Sequence, residues 1–214
     1  MIKATAEQVW SLAVAAHRIN GGYFKEPQWD YEASPPKVKL NANKLMVKEW
    51  LKTGNFSEVT AADIEKGQEV KQHFHSYMFL ALAGQLNDFQ KNAFRISQLT
   101  EFGPSDLLEI AITSCLPSVY ERDRERKDFM DQIRNSTQLS GAVGDRVQGE
   151  IVVLSSRYNM NFNKWKISAK MVDSFVDFWY NTNLNAGDVL RIKGKVKAQR
   201  DNNTTQLNYV KVIG

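Results

Sequence analysis

The sequence predicts an α+β chain with segregated classes of structure: a helical domain over residues 1–138, then a five-stranded antiparallel β-barrel over residues 139–214. Three observations predict it. Apolar residues recur at steps of three and four up to about residue 135, the spacing of a helix face. Beyond about residue 147 the step falls to two, the spacing of a strand face. The charge balance shifts at the same place. Residues 1–140 hold 17 Lys and Arg against 18 Asp and Glu, whereas residues 141–214 hold 11 against 6. One third of the chain carries the whole positive excess, which points to an anionic partner for that third.

The helices follow in order. Thr5-Ala6-Glu7-Gln8 has the form of a capping box. Val9, Trp10, Ala13 and Ala16 repeat behind it, and Gly21-Gly22 supplies a stop. Pro27 and Pro35-Pro36 make residues 23–40 a loop, pinned by Tyr23, Phe24, Trp29 and Tyr31. A helix over 43–52 carries Leu45, Val47, Trp50 and Leu51 and ends at Thr53-Gly54. Thr60 caps a long helix over 61–84, with Ile64, Val70, Phe74, Tyr77, Met78 and Ala81 as its stripe. Asn87 caps another that reaches about residue 98. Pro104 and Pro117 suit first turns, where the missing N–H costs nothing, and the last helix covers 118–135.

Asn135-Ser136-Thr137 and Ser140-Gly141-Ala142-Val143-Gly144 are linker-like. Five strands follow, over 147–155, 164–173, 175–180, 189–198 and 205–213, separated by turn residues at 159–163, 181–187 and 201–203. Five short strands with no helix among them suit a small closed barrel.

Composition narrows the function. Hydrophobic residues make up 43% and aromatic residues 11%, enough to build cores. No stretch approaches the roughly 18 apolar residues of a membrane helix, and no leader pattern opens the chain. The single Cys115 excludes an intramolecular disulfide and a cysteine-cluster zinc site, so a cytoplasmic location is expected.

Catalytic material is scarce. His73 and His75 lie about 200° apart around a helix and cannot share a metal. His17 stands alone. Asp63-Ile64-Glu65-Lys66 loosely echoes the acid-and-lysine sets of metal-dependent nucleases, but it falls in a first helical turn, where acids are favoured electrostatically. Cys115 lies in an apolar run that keeps a thiol inert. No Gly-rich phosphate loop and no nucleophile elbow is present. The chain is therefore read as a non-enzyme, with no catalytic residue, cofactor or metal assigned. Residues 121–128 hold four charges of each sign, including the pairs Asp123/Lys127 and Arg124/Asp128, and read as a solvated helix surface, with a partner-binding helix as the alternative.

The basic barrel is more informative. Arg191, Lys193, Lys195 and Lys197 alternate with Leu190, Ile192, Gly194, Val196 and Ala198, so the cations share one strand face. Lys164, Lys166 and Lys170 alternate with Trp165, Ile167, Ala169 and Met171 in the same way. Tyr158 and Phe162 lie in the first hairpin loop. Phe178-Trp179-Tyr180 cannot all point inward, so at least one ring is exposed. Cations for phosphates and aromatic planes for bases are the composition of single-strand binding. Lysines on exposed strands also guard against edge pairing, which is the structural alternative.

The ending Gly187-Asp188-Val189-Leu190-Arg191-Ile192-Lys193-Gly194-Lys195-Val196-Lys197, followed by Thr205-Gln206-Leu207-Asn208-Tyr209-Val210-Lys211-Val212, resembles the ends of oligonucleotide/oligosaccharide-binding (OB) domains in bacteriophage DNA-metabolism proteins. The resemblance covers about a third of the chain. It implies a ligand across the second and third strands and the loops that join strands one to two and four to five. Those loops hold Arg157, Tyr158 and Phe162, and Arg200. The segment 181–186 is too short for the helix that such domains carry between strands three and four.

The expected function is non-enzymatic binding of single-stranded nucleic acid, DNA favoured, in phage DNA replication or recombination. The expected site comprises Arg157, Tyr158, Phe162, Lys164, Lys166, Lys170, Trp179, Arg191, Lys193, Lys195, Lys197 and Arg200. The helical domain is expected to meet a replication protein or another copy of the chain, in the host cytoplasm if the chain is phage-encoded. The rival is a protein–protein adaptor, such as a phage factor that binds a host enzyme, with the barrel as scaffold. A metal-dependent nuclease stands third.

Overall fold

The structure, a computed structural model, describes residues 3–213. The chain divides into two compact units, Met1–Arg124 and Glu125–Gly214.

In the first unit β1 (Ala4–Thr5) leads directly into α1 (Ala6–Asn20). Thr5 and Gln8 form the expected capping box, and Gly21 ends the helix at φ +65°, a conformation that favours glycine. Val9, Trp10, Leu12, Ala13, Ala15 and Ala16 are all buried, so α1 is covered on several sides and forms the spine of the unit. Its neighbour α3 (Ala61–His75) packs unusually close because of Gly67. A β-carbon at Gly67 would lie 3.0 Å from the Ser11 backbone nitrogen.

Between them the structure departs from the expected loop. Gln28–Asp30 (β2) and Lys37–Leu40 (β3) pair as an antiparallel hairpin, with Trp29 opposite Val38. Pro27, Pro35 and Pro36 read as breakers, yet all three flank the paired residues and cost the hairpin no ladder bond. α2 (Asn43–Thr53) follows and stops at Gly54, as expected. The expected helix over 61–84 is also corrected, because it is two helices, α3 and α4 (Met78–Leu82). The Ser76 hydroxyl donates to the His73 carbonyl at 2.7 Å. The Tyr77 N–H, which would otherwise take that carbonyl, bonds Phe74 instead at 3.2 Å, and the turn tightens. α5 (Asp88–Ser97) starts from an Asn87–Gln90 capping box. β4 (Glu101–Phe102) pairs with β1, and α6 (Leu107–Thr113) and the first part of α7 (Leu116–Arg134) complete the helices of this unit, whose last residue, Arg124, lies within α7.

The second unit is built on β5 (Arg146–Asn159), β6 (Lys164–Met171), β7 (Ser174–Tyr180), β8 (Val189–Gln199) and β9 (Thr204–Val212). They close into a barrel in the order β5-β6-β7-β9-β8, with β8 returning to β5. The expected all-antiparallel barrel is corrected in one pairing: β7 and β9 run parallel. Five strands in a closed ring cannot alternate direction all the way round, so one neighbouring pair has to be parallel. No helix stands between β7 and β8. Ile151, Val153, Ile167, Ala169, Val176, Phe178, Ile192, Val196 and Leu207 fill the interior, as their alternation predicts.

The residues before β5 belong to the barrel through specific bonds. Phe129 meets Phe175 edge-on, with ring centres 5.7 Å apart. The Asn203 amide donates to the carbonyls of Arg134 and Ser136, and the Gln199 amide to those of Leu139 and Gly141. Among the described residues no helix is long and apolar enough to cross a membrane.

Candidate nucleic-acid interface

The alternation in β8 and β6 holds in three dimensions. Ile192 and Val196 are buried, while Arg191, Lys193, Lys195 and Lys197 are exposed. Ile167, Ala169 and Met171 are buried, while Lys164, Lys166 and Lys170 are exposed. Register then sets what each cation faces. Arg146 of β5 lies directly opposite Lys195, and Lys193 lies opposite Lys211 of β9. Like charges placed opposite one another in a sheet are destabilising. Among the described residues none of Arg146, Lys193, Lys195 and Lys211 has a carboxylate within ion-pair distance. Arg191 is the milder case, because Glu150 stands opposite it.

Beside this ladder lies an open groove of about 620 Å³. Phe162, Trp179 and Tyr209 supply aromatic surface, Lys164 and Lys197 supply charge, and Asn181 and Asn208 supply amides. Trp179 reaches it because Phe178 and Tyr180 turn toward the interior and Trp179 turns out, opposite Lys166. The Phe162 and Trp179 rings lie 5.1 Å apart, inclined at 53°. Phe162 is 63% exposed, an unfavourable placement for a phenyl ring with nothing on its outer side. Lys195, opposite Asn208, continues the charge from the groove into the ladder.

The structure therefore gathers Phe162, Lys164, Trp179 and Lys197 in one groove and places Lys193 and Lys195 next to it. The other expected residues do not line the groove. Lys166 and Arg200 both reach Asp177. Arg157 lies opposite Lys166, exposed. Tyr158 pairs with Trp165 on the opposite strand face from the lysines, with ring centres 5.3 Å apart and its hydroxyl donating to Asn163. Lys170 lies in a separate cavity with Asp128, Asp131 and Asp173.

Tyr209 is the residue that sequence reasoning missed. Strict alternation from Leu207 sends it inward. Instead it takes φ +54° at an irregularity in β9 and is 82% exposed, while Val210 packs against the core. Gly194 makes room: a β-carbon there would lie 3.1 Å from Val210 Cγ2. Asn181 and Asn208 carried no sequence signal beyond their polarity.

In the helical unit the chemistry-bearing residues have structural partners. Asp63 caps α3 and takes two bonds from Arg18, at 3.0 and 2.9 Å. His73 and the Tyr77 hydroxyl both reach Asp123 Oδ2, at 3.2 and 2.8 Å, so Asp123 turns there and not to Lys127. Burial, followed by the nearby Asp123 carboxylate, pushes the Tyr77 hydroxyl well above its ordinary range. Burial likewise pushes the Cys115 thiol up. Among the described residues no group of three or more His, Cys, Asp and Glu could hold a metal ion. No protein-family model matches the chain, and neither does any curated protein or solved structure.

Proposed function

We propose that the barrel binds single-stranded nucleic acid, DNA in the first instance, without catalysis. One observation carries this reading. The groove is lined by four aromatic residues (Phe162, Trp179, Tyr180 and Tyr209), two cations and two amides, and it adjoins four cations held against their mutual repulsion. Aromatic faces stack bases of any sequence, cations hold the backbone, and amides meet base edges. A duplex hides its base faces and cannot use the rings. The strand order, with the third strand parallel to the fifth, is compatible with the OB-like fold that the sequence resembles. A place in phage DNA replication or recombination rests on that resemblance alone.

Titration of a labelled single-stranded oligonucleotide across a salt series tests the reading. Roughly five phosphate contacts give a slope of log K against log salt of about −3 to −4. Duplex of equal length should bind more weakly. No binding at low salt, or binding indifferent to salt, would overturn the proposal.

The adaptor reading draws on the helical unit. Phe79 and Leu82 on α4 are 74% and 80% exposed, and no α4 residue is buried. An apolar helix left in solvent favours a protein partner for that unit, and pull-down with α4 intact and with Phe79→Ser tests it.

A further inference from the structure

We propose that Lys166 and Arg200 form a phosphate subsite beside Trp179, and that Asp177 fills it in the free barrel as an internal competitor for the backbone of a bound strand. This rests on the reading of the barrel as a single-strand binder.

Asp177 lies between Val176 and Phe178, both of which face the interior, so its side chain leaves the barrel on the same face as Trp179. Its neighbours across the sheet are Ser168 and Gln206. An acid on that face should be solvated, yet Asp177 is only 4% exposed. Two cations cover it. Lys166 Nζ lies 3.6 Å and Arg200 Nη2 3.1 Å from the same oxygen, Oδ2. Arg200 Nη2 also donates to Gln206 Oε1 at 3.3 Å. The cations stay open on their outer side, with side chains 45% and 41% exposed.

Two cations converging on one anionic oxygen are the arrangement that a phosphate oxygen takes. The carboxylate fills it incompletely. Asp177 Oδ1 is buried and has no hydrogen-bond partner, a costly state for a charged group. Trp179 stands two residues along the same strand, about 6.6 Å away, so a base on that ring brings its backbone to this pair. A phosphate that takes Lys166 and Arg200 strips Asp177 of its cations and leaves a carboxylate unpaired beside it. Asp177 therefore sets a ceiling on affinity, and the two cations add little to binding while it is charged.

The experiment compares binding of an oligo-dT strand across a salt series for the intact protein, Asp177→Asn, Lys166→Ala, the Lys166→Ala/Arg200→Ala double variant, and Asp177→Asn with Lys166→Ala. Asp173→Asn is the control, since it removes an equal charge at an exposed turn. Freeing two cations should steepen the Asp177→Asn slope by about 1.4. If the proteins bind alike at high salt, a tenfold drop in salt then separates them by about 25-fold. Lys166→Ala should cost little in the intact protein and remove about half of the gain in Asp177→Asn. Asp173→Asn should leave the slope unchanged.

If the intact protein binds but Asp177→Asn is weaker or no steeper, the proposal fails while the binding reading stands. Should Asp177→Asn not fold, as read by circular dichroism, the double variant decides. A slope unchanged from the intact protein upholds the proposal, and a slope shallower by about 1.4 overturns it. Binding by Asp177→Asn alone supports the competitor and shows it to be a complete block. Binding by neither overturns both readings.

Discussion

The helical unit and the barrel differ in charge balance and in where like charges meet. Among the described residues of the helical unit six cations meet acids, among them Arg18 with Asp63, Lys66 with Glu69, Arg95 with Glu109 and Lys44 with Glu26, while others such as Lys48 and Lys52 have no ion pair. Over residues 1–124 the 15 acids match the 14 Lys and Arg in number. Even His73 sits against Asp123. In the barrel, Lys195 faces Arg146 and Lys193 faces Lys211. The few barrel acids do not relieve them, since Asp177 is spent on Lys166 and Arg200. A unit whose acids balance its cations in number has little need of an anion from outside. A unit that holds like charges face to face is more stable with one bound. The contrast locates the proposed ligand on the barrel more firmly than net charge alone.

The strongest attack on that contrast removes the ladder. Replacing Arg146, Lys193 and Lys195 together by Ala should flatten the salt slope by about 2 units, a loss of about 100-fold for a tenfold drop in salt. Melting temperature should rise at the same time, because opposed cations are relieved. A higher melting temperature with unchanged binding would reduce the ladder to a guard against edge pairing.

Next comes the division between the two faces of the hairpin. Trp179→Ala should cost about 1–3 kcal/mol of binding with the slope nearly unchanged. Tyr158→Ala should spare affinity and lower the melting temperature, because its ring packs on Trp165 away from the lysines. Reversal of these two results would put the strand on the opposite face.

A third test stays in the helical unit. Burial alone would raise the Asp63 carboxyl, but the bonds from Arg18 and Thr60 outweigh it and hold it below its ordinary range. A carboxyl lowered in the folded state stabilises the fold above its unfolded value, and that contribution fades as pH falls through the folded value. Asp63→Asn should therefore cost about 1–2 kcal/mol at neutral pH, and its melting gap from the parent protein should narrow below about pH 4. Oligonucleotide binding should not change. An affinity change would tie this unit to the site.

Much of this was legible in the sequence wherever one local rule decided the outcome. The capping residues Thr5, Thr60 and Asn87 and the stop at Gly54 marked helix ends because each acts within one turn. The period of two in β6 and β8 separated core from surface side chains. Nonlocal pairing was not legible. The parallel β7–β9 contact follows from ring closure, which no window of residues reports. The outward turn of Tyr209 follows from a backbone irregularity, without which alternation sends the ring inward. Asp177 was invisible as a partner of Arg200 because 23 positions of chain separate them. Lys166, Lys170 and Lys164 read alike in sequence. Only the strands beside them show that they meet three different surroundings.

The smallest expected effect sharpens that last distinction. Lys170 shares its alternation with Lys164 and Lys166, so composition assigns all three to one face. The strands give it other company. It lies opposite Val152 on β5 and Phe175 on β7, in a cavity with Asp128, Asp131 and Asp173. A cavity lined by three carboxylates and one lysine carries a net negative charge, which repels a phosphate backbone. Lys170→Ala should therefore leave the salt slope within about 0.2 units of the parent, whereas Lys164→Ala, in the groove, should flatten it by about 0.7. Equal losses at the two positions would mean that the strand wraps well beyond the groove, and that barrel-wide charge, with no contribution from ring and lysine geometry, carries the binding.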